Sequence, residues 1–208
     1  MVTPNRRRFL LGSAALLTVR SVGAGASLTV FPVLLRTLQV EGTPVATSSF
    51  VDEQMARVAD VFGEHQLAFE ELPRSALAVG PVDVVTRADR DAFGSHLAPK
   101  VINAFFVRSL MDVDEPGRRR MGVAWRSLRD PSKRYVLVSS EAKAGVLAHE
   151  LGHFLGNGHS RVRNNVMSYD HDEGVRAFLD AAQASTARRT GADLFAKGEL
   201  RRPPRKAP

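Results

Sequence analysis

Residues 149–159 read His149-Glu150-Leu151-Gly152-His153-Phe154-Leu155-Gly156-Asn157-Gly158-His159. Three imidazoles, one carboxylate and one glycine stand at the spacing H-E-x-x-H-x-x-G-x-x-H. On a helix His149 and His153 are i and i+4, so both lie on one face and can converge on one cation. Glu150 is three residues before His153, close to that face without being a ligand. A helix continued to His159 would carry it about 9 Å beyond His153 and about 240° around the axis. The chain must therefore turn back, and Gly156 permits the positive φ that a reversal needs. Asn157 and Gly158 continue the turn chemistry. Three neutral imidazoles with an open fourth position describe a catalytic site for one Zn²⁺ rather than a structural one. Such an ion lowers the pKa of water to about 7, and Glu150 would take the water's proton and pass it to a leaving amine. A surface helix with scattered histidines explains neither Gly156 nor His159.

Elements must hold these residues in place. Ala142, Ala144, Val146, Leu147, Ala148 and Leu151 predict a helix over 141–155, with Glu141 in its first turn. Val33–Val40 reads as a strand whose start is limited by Pro32. Ser49 to Asp52 resembles a capping box opening an amphipathic helix over 50–62. Leu67 and Phe69 alternate in a second strand. Thr86 with Asp89 marks a short helix. Val101–Val107 is apolar enough for a buried central strand, and Tyr135–Val138 is another. Val175, Phe178, Leu179 and Ala182 predict a closing C-terminal helix. Strand–helix–strand order implies an α/β (α+β) fold with a mostly parallel, twisted sheet.

Asn164-Asn165-Val166-Met167-Ser168-Tyr169 follows His159 at a short interval. With the zinc motif before it, this segment resembles the metzincin clan of zinc endopeptidases, in which a methionine-bearing turn lies beneath the metal. The spacing to Met167 is similar to that in matrixins. The Met-x-Tyr order is similar to that in serralysins and astacins. The resemblance implies a metzincin-like fold with a zinc-binding helix, a Met-turn at Met167 and a closing helix. It implies that Met167 supports the ligands and that Tyr169 reaches the metal or the developing oxyanion. It also implies that Gly122-Val123-Ala124-Trp125 is the antiparallel edge strand of the cleft, pairing with an extended peptide or protein substrate. An ordinary edge strand with Trp125 in the core is the alternative. Glu173 stands at the distance of a gluzincin's glutamate ligand, but His159 favours the three-histidine site. The implied activity is a secreted zinc endopeptidase. A zinc amidohydrolase acting on cell-wall or other non-protein amides would use the same residues. A zinc-containing binding module without turnover is the third reading.

The 208 residues carry a formal charge of +7, but its distribution matters more. The first 26 residues and the last twelve each carry +4, leaving −1 for residues 27–196. A near-neutral body gives no reason to expect a nucleic-acid partner. With no cysteine there is no disulfide, no thiolate ligand and no cysteine-switch prosegment. Arg6, Arg7 and Arg8 precede an apolar stretch too short to span a bilayer, and Ala24-Gly25-Ala26 offers a cleavage site. Residues 1–26 resemble a twin-arginine signal peptide, which implies export to the periplasm or medium and no membrane span after cleavage. An uncleaved anchor or a basic arm is the alternative. Residues 27–196 are expected to form one catalytic domain, monomeric and without a large propeptide. Residues 197–208 are expected to be a solvated basic tail. Arg118, Arg119 and Arg120 read as a solvated loop. His65 and His96 read as structural or surface residues, and His171 as a neighbour of the site.

Overall fold

The run Ile102–Val107 is buried at every residue, which places it between two layers. In the computed structural model, which describes residues 27–202, this run is the central strand of a seven-stranded sheet. The signal-like segment and residues 203–208 lie outside the described residues. The strands are β1 (Thr29–Val40), β2 (Thr43–Pro44), β3 (Leu67–Glu71), β4 (Ser75–Leu77), β5 (Asp83–Val84), β6 (Ile102–Val107), β7 (Ser109–Leu110), β8 (Gly122–Arg126) and β9 (Arg134–Ser139). The helices are α1 (Ser48–Gly63), α2 (Arg87–Ala92), α3 (Val146–Phe154) and α4 (Ala181–Ala196).

The long strand β1 pairs in parallel with β3 and β4 and with β6, and β6 pairs in parallel with β9. The edge strand β8 runs antiparallel to β9, with Gly122 opposite Val138 and Ala124 opposite Val136. β5 and β7 form a separate two-stranded ribbon. The mostly parallel sheet with an antiparallel edge is the expected architecture.

Alternation along the strands feeds two cores. Phe31, Val33, Leu35, Ile102, Ala104, Phe106, Val136 and Val138 face α1, α3 and α4. Leu38, Phe105, Val107, Tyr135, Leu137 and Trp125 face the other way, onto Val84, Phe93 and Leu110. Each fully buried Val, Leu or Phe contributes about 1.5–3 kcal/mol of transfer free energy. Among the described residues, no helix is long and apolar enough to cross a membrane.

Several boundaries differ from the sequence expectation. Pro32 lies inside β1 rather than before it, opposite Glu70 of β3. Pairing to β6 begins only at Val33, so the missing N–H falls where β1 has one neighbour. The cap of α1 is Thr47, not Ser49: its hydroxyl accepts from the Phe50 N–H at 3.2 Å. The Thr86–Asp89 capping box of α2 forms as expected. α3 begins at Val146 instead of Glu141, because Gly145 takes a left-handed φ of 99° and interrupts the chain there. Glu141 instead pairs with Arg119. α4 begins at Ala181 behind an Asp180–Gln183 capping box, so Val175 and Phe178 precede it and stay exposed. The body also runs past residue 196: Leu200 is buried, and the Arg201 N–H donates to Lys100 O at 2.8 Å.

Candidate metal centre

The placement of α3 begins with a residue 92 or more positions upstream. Gln54 of α1 is fully buried, and its amide donates to Lys143 O at 2.9 Å while accepting from the Leu147 N–H at 3.1 Å. A side chain of α1 thus satisfies backbone groups at the open N-terminus of α3. At the other end Gly156 has φ 88°. Its N–H donates to His153 O at 2.9 Å, and the Asn157 N–H donates to Gly152 O at 3.0 Å. This is a Schellman reversal. It turns the chain back, as the spacing required, and brings His159 to the other two histidines.

The Nε2 atom of His153 lies 3.1 Å from that of His149 and 3.0 Å from that of His159. The second nitrogens decide the protonation. His149 Nδ1 meets Val166 O at 2.7 Å, and His153 Nδ1 meets Asn157 O at 2.8 Å. A carbonyl can only accept, so both Nδ1 atoms carry the proton in the neutral rings. Their Nε2 lone pairs then face each other without a proton between them. Burial lowers the pKa of His149 to about 4 and also lowers that of His153, which keeps both rings neutral near pH 7. Two nitrogens held about 2.0–2.1 Å from one tetrahedral ion lie about 3.3 Å apart, so the observed spacing fits a shared cation. His149, His153 and His159 are the group among the described residues whose donor atoms converge in this way. Glu173 is exposed and outside it.

The Met-turn braces this group from below. Met167 is fully buried, and its sulfur occupies the space that a Cβ on Gly152 would fill. The Met167 N–H donates to Asn165 Oδ1 at 2.9 Å. Asn165 and Gln183 exchange two amide hydrogen bonds, at 2.8 and 3.0 Å, which fasten the turn to α4. Val166, in the same turn, supplies the carbonyl that orients His149. Tyr169 is exposed, and its hydroxyl lies 2.6 Å from His159 Nε2. His171 bonds Ser168 O, and His65 bonds Leu179 O, so both are structural contacts.

Glu150 is buried, and burial raises its pKa to about 7 against the opposing pull of the Ala124 amide and the Arg120 and Arg90 charges. It lies against β8 so closely that a Cβ on Gly122 would stand 2.7 Å from Glu150 Cγ. Gly122, Val123 and Ala124 line the cleft, which is about 220 Å³ in volume and contains the three histidines, Glu150 and Tyr169. Trp125 does not line it. Its ring lies in the opposite core and its Nε1 donates to Asp91 at 2.9 Å. Arg90, Asp112, Asp114 and Arg120 complete the lining, and the sequence assigned none of them there. Arg120 is not a solvated loop residue: it pairs with the buried Asp112 carboxylate at 2.6 Å. The Thr86–Asp89 box located α2, but no residue pattern showed that Arg90 on it would face this cleft.

No protein-family model matches this chain, and no curated protein sequence matches it. Solved structures do. Mature mirolysin of Tannerella forsythia, in complex with a cleaved peptide, aligns with a TM-score of 0.58 at 10% identity, over 84% of this chain and 99% of that one. The archaemetzincin of Methanopyrus kandleri aligns with a TM-score of 0.53 at 17% identity, over 77% and 94%. Metalloproteinase-II of Bacteroides fragilis aligns with a TM-score of 0.53 at 12% identity, over 78% of this chain; the match spans about half of that protein, 53%. The fold is that of metzincin-type zinc metallopeptidases. The mixed α/β body and mainly parallel sheet match that fold, and the three histidines could hold a metal ion.

Proposed function

We propose that this chain is a zinc-dependent endopeptidase with Glu150 as its general base, and that it is exported and acts as a monomer on extended peptides. The observation that carries the reading is the meeting of three imidazole nitrogens, two with fixed tautomers, beside a buried carboxylate. His149, His153 and His159 would hold one Zn²⁺. That ion supplies Lewis acidity and a low water pKa, about 7 in open zinc sites. Glu150 accepts the proton of the attacking water and returns it to the departing amine nitrogen. The Tyr169 hydroxyl, on an exposed side chain 2.6 Å from His159 Nε2, would donate to the oxygen on which negative charge develops. The outer edge of β8 offers unpaired backbone groups to an extended substrate, and Ala124 and Gly122 leave room for one. The peptide bound by mirolysin is a property of that protein; it supports peptide as the substrate class here.

The test uses the zinc-loaded protein and its Glu150→Ala variant. Both should hold about one zinc per chain, while hydrolysis of a denatured protein mixture falls by at least about 100-fold in the variant. Cleavage that survives the substitution removes Glu150 from the mechanism. Zinc retained with no cleavage by either protein removes the peptidase reading.

A further inference from the structure

Arg90 is the unexplained charge of the cleft. It is 5% exposed, on the short helix α2, and its carbonyl is fixed by the Tyr135 hydroxyl. Its guanidinium stacks on Trp125, 5.0 Å from the ring centroid, and donates from Nη2 to Met111 O at 2.7 Å. Its Nε is buried with no hydrogen-bond partner. Among the described residues no carboxylate lies within ion-pair distance of it. The nearby acids are engaged elsewhere. Asp112 accepts from the Asp114 and Glu115 N–H groups at 2.8 and 3.1 Å and from Arg120 at 2.6 Å. Asp114 pairs with Arg87. A guanidinium has five donors in a planar fork, and burying one without an anion is costly. Yet this one lines the same cleft as Glu150 and the histidines.

We propose that Arg90 is a specificity-determining residue that binds a carboxylate of the substrate, so that the enzyme selects peptides with Asp or Glu at one position beside the scissile bond. The inference rests on the peptidase reading above. The guanidinium, with no carboxylate at ion-pair distance, lines the same cleft as Gly122, Val123 and Ala124 of β8, along which an extended peptide would lie. The Trp125 ring and the Met111 carbonyl fix the guanidinium, and with Nε buried and Nη2 engaged, Nη1 is left to donate to a substrate carboxylate oxygen. Arg120, the other cation of the lining, is paired with the buried Asp112 carboxylate at 2.6 Å.

The experiment compares internally quenched peptides in which each position in turn carries Asp, Asn, Glu or Gln. The readout is the acid-to-amide ratio of kcat/KM, which cancels general losses of activity. The zinc-loaded enzyme should prefer the acid by about tenfold or more at one position, the size of a charge-assisted hydrogen bond. Arg90→Gln should bring that ratio close to one, and Arg90→Lys should leave a reduced preference, since it keeps the charge but not the fork. Should Arg90→Gln fail to fold, the Arg90→Lys ratio and its decline with added salt decide the matter. Neutral peptides cut without an acidic preference, or a preference that Arg90→Gln retains, overturn the proposal and leave the peptidase reading standing. If no peptide is cut, that reading fails. The same acid and amide peptides are then compared by fluorescence anisotropy on the Glu150→Ala protein, where equal affinities overturn the role of Arg90 as well.

Discussion

Gly122 and Glu150 form one unit at the residue scale. The Glu150 carboxylate is held against a strand that carries no side chain at the point of contact. A methyl group there would push on Glu150 Cγ and Oε1, both within 2.8 Å of it. Gly122→Ala should therefore displace the carboxylate rather than the metal ligands. The expected loss in kcat/KM is about 100-fold, the cost of a misplacement near 1 Å. Metal content measured on the same sample should stay constant, and a parallel loss of zinc would show that the strand supports the ligands instead. Met167 acts through volume. Its replacement by alanine empties the space over Gly152 and should cost about 2–5 kcal/mol in urea unfolding, with weaker zinc binding as the turn relaxes.

At the scale of elements, α3 is a short helix whose two ends each meet another helix. Gln54 closes its start from α1, and Thr190 of α4 lies 2.7 Å from where a Cβ on Gly156 would stand. Gln54→Leu should leave the buried Leu147 N–H without a partner, while Lys143 O keeps its bond from the Val146 N–H at 3.3 Å. The expected destabilisation is about 1–3 kcal/mol, read from denaturant midpoints, and it should exceed that of Met55→Leu on the same helix. These supports explain what the sequence could and could not reveal. The spacing of His149, His153 and His159 implied the reversal at Gly156, because helix geometry excludes any straight alternative. The apolar run 101–107 announced the central strand, and Thr86 with Asp89 announced α2. The start of α3 was illegible: helix-forming alanines at 142 and 144 suggested an earlier beginning. The interruption depends on a left-handed glycine and on an amide 93 residues from Leu147. Arg90 was equally hidden. In a six-residue helix with two arginines, Arg87 and Arg90, there is no periodicity from which to read which one faces the cleft.

Across the whole molecule, charge contributes to stability, and the proposed zinc would add to it. The Asp112 carboxylate is held down to about 2 by the Asp114 N–H, then by the Glu115 N–H and Arg120. A depressed pKa stabilises the fold above the ordinary value of 3.8 and loses that contribution as pH falls towards 2. Thermal unfolding should thus drop steeply between about pH 4 and pH 2, and less steeply in Asp112→Asn. Zinc acts by mass action: at 100 times its dissociation constant it should add about 2.7 kcal/mol, lost again to a chelator. The joints between the Met-turn and α4 have a further consequence in time. Asn165 needs Gln183, and the Gly156 reversal packs on Thr190, so the last helix completes a centre whose ligands end at His159. During vectorial synthesis the histidines emerge before the residues that fix them. A nascent chain halted at Leu179 should scavenge zinc poorly, and the metal should be captured only after the ribosome has released α4.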